Sequence, residues 1–205
     1  DGVFALVGNV GTPNNLAVWD DLNAQCIPHL FVATGAPQWG DVTGHPWTVG
    51  GLLPYTAEAA IWAHHLEEQF PDGATVAVLS FNNDLGRAYE EGFAAAIEGT
   101  SIEIVDTQRH DQTAPNLNNE VTTLAASGAD ALLVMTTGDF CPQTLRAVAE
   151  SAWEPVTLMS ATCAAPQVTF DPISPAGDGT LLANTVRLIS DDSQDPGVMF
   201  FFDKM

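Results

Sequence analysis

The chain has 205 residues, room for one large or two smaller domains with a substantial core. Apolar residues make up 46% and charged residues only 15%, the balance of a folded chain rather than a disordered one. Against 26 Asp and Glu stand five scattered Lys and Arg, a formal charge of −21 that repels phosphate backbones and argues against nucleic acid as a partner. The acids are also spread along the chain, as a solvating coat and not a tail.

The first expected strand is Val3–Gly8, and "FALVGNVGTPNN" hands it to a helix over Pro13–Gln25. Pro13 suits the first helical position and Thr12 the cap. Gly8 and Gly11 lack the intervening glycine of a dinucleotide fingerprint, and no Lys follows to make a nucleotide P-loop. What remains is a helix start whose amides and positive dipole end can receive an anion or carbonyl oxygen. Thr12 either adds its hydroxyl to that site or only caps its own helix.

The next strand, His29–Ala33, ends in Thr34, Gly35 and Ala36, a hydroxyl and unhindered backbone where a ligand or a plain turn fits. An irregular stretch, 34–51, contains the strand candidate Trp47–Gly50. A helix over Tyr55–Gln69 follows, with an apolar stripe of Ala59, Ile61, Trp62, Leu66 and Phe70. Neighbours on a helix point about 100° apart, so His64 and His65 do not share a metal face. The strand Thr75–Ser80 runs into Asn82, Asn83 and Asp84, which either bond a ligand or form an Asx turn capping the helix Arg87–Glu98. The series continues with strand Ile102–Asp106, helix Asn116–Ser127 and strand Ala131–Met135. That strand leads into "MTTGDF", where Asp139 is a partner for a ligand amine or a helix cap. Helix Pro142–Ser151, strand Val156–Ser160, a second irregular stretch (160–179) and strand Thr180–Arg187 complete the series. "PGVMFFFDKM" resembles the first turns of a further helix.

Strands such as "TVAVLS" and "ALLVMTT" are apolar on both faces, as parallel strands covered by helices must be. The fold class is therefore α/β, with doubly wound parallel sheets. Both irregular stretches follow strands, on the edge where such sheets bind ligands. Cys26, Cys141 and Cys163 show no C-x-x-C spacing; buried free thiols are expected, with one disulfide of unassigned pairing as the alternative. No apolar run approaches the ~20 residues that cross a bilayer. No nucleophile elbow or Cys–His dyad stands out, so no enzyme, cofactor or metal is expected.

Taken in order, "VGNVGTPNNLAV", "IPHLFVATGAPQW", "HPWTVGGLLPYTAEA", "TVAVLSFNNDLGRAYEEGF", "ADALLVMTTGDF" and "VTLMSATCAAP" resemble the type I periplasmic binding proteins. The likeness is to the leucine (branched-chain amino acid) branch that serves ABC importers. It implies two lobes joined by crossover hinge strands: residues 1–48 in the first, 49–184 in the second, and 185–205 returning to the first. The hinges would be Trp47–Gly51 and the neighbourhood of Asn184, and the chain would be a fragment lacking N- and C-terminal parts of the fold. The resemblance further implies a ligand carboxylate held at Thr12 and Ala33–Thr34–Gly35. Tyr55, Leu85, Thr136 and Thr137 would complete the cleft. The family's acid for a ligand ammonium would fall at Thr162, where no carboxylate stands; Asp139 could substitute, or the ligand lacks an α-amine. The implied ligand is an amino acid, amide or small carboxylate, and the implied partners are ABC permease subunits at a periplasmic or extracellular, lipid-anchored or free location. Alternatives are a sensor of the same fold and a nucleotide-using doubly wound enzyme.

Overall fold

A computed structural model describes residues 2–165, 169–185 and 194–204. Two parallel sheets organise them. The first is β1 (Leu6–Val7), β2 (His29–Val32) and β3 (Thr48–Gly50), hydrogen-bonded in that order, with α1 (Thr12–Ala24) linking the first two. The second has the order β5-β4-β6-β7-β8, from β4 (Ala74–Phe81), β5 (Ile102–His110), β6 (Ala131–Met135), β7 (Val156–Met159) and β8 (Leu181–Leu182). Its helices are α2 (Tyr55–Gln69), α3 (Asp84–Ala96), α4 (Asn118–Ala126) and α5 (Phe140–Glu150); α6 (Pro196–Lys204) follows later in the chain.

Alternation along the strands explains why both faces of the second sheet are apolar. Val76, Val78, Leu133, Met135 and Leu158 pack under α2 and α3, whereas Ala77, Leu79, Leu132, Val134 and Met159 pack against α4 and α5. On α2, Ala59, Trp62, Ala63 and Leu66 face the core, but Ile61 is exposed and falls off the expected stripe. The first of these two cores also takes in Val32, Ala36 and Trp39 from the end of β2 and the turn after it.

Element boundaries shifted for local reasons. β1 is shorter than Val3–Gly8: Phe4 is exposed, and Gly8, at φ 67°, turns the backbone out of line. β5 extends to His110, pairing its polar half, Thr107 to His110, with Val78 to Phe81. As an edge strand it needs no second apolar face, so polar residues continue it. α3 starts three residues early because Asn83 caps it, its Oδ1 accepting from the amides of Leu85 (2.9 Å) and Gly86 (3.4 Å). Of the expected strand Thr180–Arg187 only Leu181–Leu182 is strand, and its residues beyond Thr185 lie outside the described ones.

The cysteines differ from the expected free, buried thiols. Cys141, in the first turn of α5, is bonded to Cys163, just after β7, and Cys26 is exposed. No helix among the described residues is long and apolar enough to cross a membrane.

Candidate functional site

The turn between β1 and α1 is built by one buried side chain. Asn15 donates from Nδ2 to the carbonyls of Gly11 (2.7 Å) and Asn9 (3.0 Å), which spends both its hydrogens. Its Oδ1 must then accept, so His29 Nε2, 2.8 Å away, carries the proton. Burial lowers the pKa of His29, consistent with that neutral form. Gly11, at φ 97°, supplies the left-handed residue that starts the helix.

Thr12 is the first helical residue and makes no cap; Gly11 occupies the cap position. Its hydroxyl instead lies 2.5 Å from that of Thr34, at the end of β2. Thr34 Oγ1 accepts from Tyr55 O–H (3.1 Å) and from the Ala36 amide (3.4 Å). With both acceptor positions taken, the Thr34 proton points to Thr12, and the Thr12 proton is left to donate outward. Both threonines are 1% exposed, so this order of donors is fixed in a protected setting.

Beside Thr12 is a cavity of about 100 Å³. One wall is Gly11, Thr12, Pro13 and Asn14; the other is Phe81, Asn83, Leu85, Gln112 and Thr137, from the strand ends and loops of the second sheet. The N-terminal turns of α1 and α3 thus flank one small space, each with the positive end of a helix dipole, while Asn83 already occupies the Leu85 and Gly86 amides of α3. No acidic or basic side chain lines it.

Of the residues anticipated from sequence, Thr12, Asn83, Leu85 and Thr137 line this cavity, Asn83 also capping α3. Thr34 and Tyr55 stand behind Thr12 as described. Ala33 is half-buried, its amide bonded to the Asn9 carbonyl. Gly35 faces the Leu53 carbonyl and the Tyr55 ring, so its missing side chain admits the segment crossing between the sheets. Thr136 is fully buried with its hydroxyl 2.8 Å from His110 Nε2, away from the cavity lining. The Thr162 hydroxyl turns to the Thr136 carbonyl and to Ser160. Asp139 is exposed at the start of α5 with no side-chain cap bond.

Asn14 and Gln112 were not anticipated. A strand ending at Asp106 leaves Gln112 in mid-loop, whereas β5 runs to His110 and so places Gln112 just past a strand end, on the ligand edge. Glu58 and Tyr89, both buried and polar, were also missed, since a helical apolar stripe gives no sign of a carboxylate inside it.

Two parallel sheets, the second covered by helices on both sides, bring loop edges to one cavity, which is an arrangement of the α/β class. The whole chain, residues 1–205, matches the family model described as "Periplasmic binding protein", and the protein belongs to that family. No curated protein matches it by sequence. Among solved structures it resembles a "possible leucine/isoleucine/valine-binding protein" from Rhodopirellula baltica SH 1, with TM-score 0.83, 19% identity, 98% of this chain and 54% of that one covered. It also resembles a fatty acid ABC transporter substrate-binding protein from Thermomonospora curvata (TM-score 0.81, 18% identity, coverage 98% and 51%). A third is an extracellular ligand-binding receptor from Rhodopseudomonas palustris HaA2 (TM-score 0.77, 19% identity, coverage 89% and 49%). At these identities the likeness is one of fold. The chain spans about half the length of these structures.

Proposed function

We propose that this chain is part of the substrate-binding protein of an ABC importer, holding a small solute by a carboxylate or carbonyl oxygen between two lobes. The observation that carries the reading is the cavity whose walls come from both sheets and whose lining is uncharged, with hydroxyl and amide side chains able to bond an oxygen. Thr12 lines it with a hydroxyl whose proton Thr34 does not take, and two helix N-termini favour negative charge there. The lobes are residues 1–48 and 49–184, with hinges at Trp47–Gly51 and near Asn184. The ligand favours closure through contacts made only when both walls are present.

The same lining speaks to ligand class. A buried ammonium needs a carboxylate, and none borders the cavity. Amides and short carboxylates therefore suit it better than an α-amino acid. The ligands in the names of two resembling structures, branched-chain amino acids and fatty acid, share a carboxylate. A location outside the cytoplasm accords with the Cys141–Cys163 disulfide, and the partner is the permease of the importer.

The test is a thermal-shift and calorimetric panel of acetate, acetamide, urea and L-leucine on the full-length protein. At least one is expected to bind without turnover. Thr12→Val should then weaken that binding by about 10- to 100-fold while leaving the fold intact, the loss of one hydrogen bond to a charged or polar acceptor. Unchanged affinity returns Thr12 to a packing role, and consumption of the solute overturns the binding-protein reading.

A further inference from the structure

Glu58 sits on the inward face of α2, one turn after Tyr55, and is 2% exposed. Its Oε1 accepts from the Ala161 amide (2.9 Å) and its Oε2 from Tyr89 O–H (2.9 Å). The buried Trp62 indole lies near the same carboxylate, though its Nε1 makes no hydrogen bond of normal geometry. Tyr89 is fully buried and stacks on Tyr55, with ring centroids 4.5 Å apart. Tyr55 in turn donates to Thr34, which meets Thr12. One carboxylate is thus joined on one side to the loop after β7, and on the other, through two rings, to the hydroxyl pair at the cavity. For packing alone, a neutral side chain serves such a buried position better.

We propose that Glu58 is a positioning residue for the ligand site: by holding Tyr89 it sets the ring of Tyr55, and so the direction in which Thr34 and Thr12 present their hydroxyls. This rests on the Thr12 cavity being the ligand site, and it has a consequence that simple structural support lacks. The groups facing Glu58 are the Ala161 amide, Tyr89 with Ser160 behind it, and Trp62 on its own helix, all neutral donors, and the other residues that line a cavity with it, Asn184 and Thr185 among them, are uncharged as well. Burial raises the Glu58 pKa, against the opposing bonds from Ala161, Tyr89 and Trp62. When Glu58 takes up a proton, one of its oxygens becomes a weaker acceptor and one of the two grips loosens. Ligand affinity therefore falls as pH drops through that raised pKa. Stability moves the opposite way: the folded state binds the proton more readily, so this contribution is full below the ordinary carboxyl pKa and is lost as pH rises through the raised one.

The experiment follows the amides of Ala161 and Ala36 by NMR in the full-length protein from about pH 4 to pH 8. Ala161 bonds Glu58 directly, and Ala36 bonds Thr34 at the far end of the chain of contacts. Both are expected to shift with one midpoint in the wild type, and with no such midpoint in Glu58→Gln. In Tyr89→Phe, which keeps the ring and serves if Glu58→Gln fails to fold, Ala161 should still titrate and Ala36 should not. An Ala36 signal that stays still in the wild type, or a midpoint absent from both amides, overturns the proposal. With acetate as probe, and affinity counted for the anion alone because acetate itself takes up a proton at the acid end of this range, wild-type affinity should fall about tenfold through the same midpoint. In Glu58→Gln it should stay flat. If both amides titrate together yet acetate binds at no pH, the positioning role stands and acetate as a ligand falls. If acetate binds with pH-independent affinity despite the shared titration, the positioning role is overturned.

Discussion

Replacing Cys141 and Cys163 together by serine is expected to lower the unfolding free energy of the full-length protein by about 3 kcal/mol, the chain-entropy value for a closed loop of this length. The bond spans 22 residues and ties the first turn of α5 to the loop after β7. Both segments leave neighbouring strands, β6 and β7, at the edge that carries Thr137 and Thr162. Met159, Cys163 and Ile173 pack with Cys141 and Leu145 in the core on that side of the sheet, so release of the loop also loosens apolar packing. For a domain of this size the melting midpoint should fall by roughly 6–12 °C, read by calorimetry on wild type and double mutant. A midpoint within about 2 °C of wild type would mean that the loop packing alone holds these segments. The same loss is expected in the wild type under reducing conditions, and its absence there, with thiols shown to be free, would contradict the argument.

Gly35→Ala carries the second large effect. A methyl group there would lie 2.3 Å from the Leu53 carbonyl oxygen and 2.6 and 2.8 Å from two atoms of the Tyr55 ring. Neither neighbour yields easily, since one is backbone and the other ring is stacked against fully buried Tyr89. Overpacking of this kind costs about 1–3 kcal/mol. The functional loss should exceed what stability alone explains, because moving Tyr55 removes a donor from Thr34 and frees the Thr12–Thr34 pair from its fixed order. Gly40→Ala is the control: nothing lies within 4 Å of its added methyl, so it should be close to neutral in melting and in ligand binding. Equal behaviour of the two variants would remove the close approach at Gly35 from the account.

Much of the fold is legible in the sequence because its periodicities are strong. Ala131–Met135 and Tyr55–Gln69 are read to the residue, one as an unbroken apolar run and the other as a helical stripe. The losses occur where tertiary context overrides local pattern. Thr107 to His110 look like a loop until an edge strand is recognised, and Gly86 discourages a helix start that Asn83 caps and the Phe81 carbonyl requires, a methyl there lying 2.0 Å from it. The disulfide was unreadable because its pairing depends on two loops brought together by β6 and β7.

At the site, Thr12 could be singled out from the strand–glycine–helix corner, but whether it caps or faces outward depends on Thr34, 22 residues away. Glu58 had no signature at all. It is one acid among 26, and only its burial separates it from the surface coat.

The most direct test is hydrogen exchange of the full-length protein with and without whichever panel solute binds it. The account predicts simultaneous protection of the amides of Gly11, Thr12 and Asn14 and of those of Leu85, Gln112 and Thr137, the two walls of one cavity. Protection of one wall alone, or of neither, would contradict the claim that a ligand is held between the two sheets.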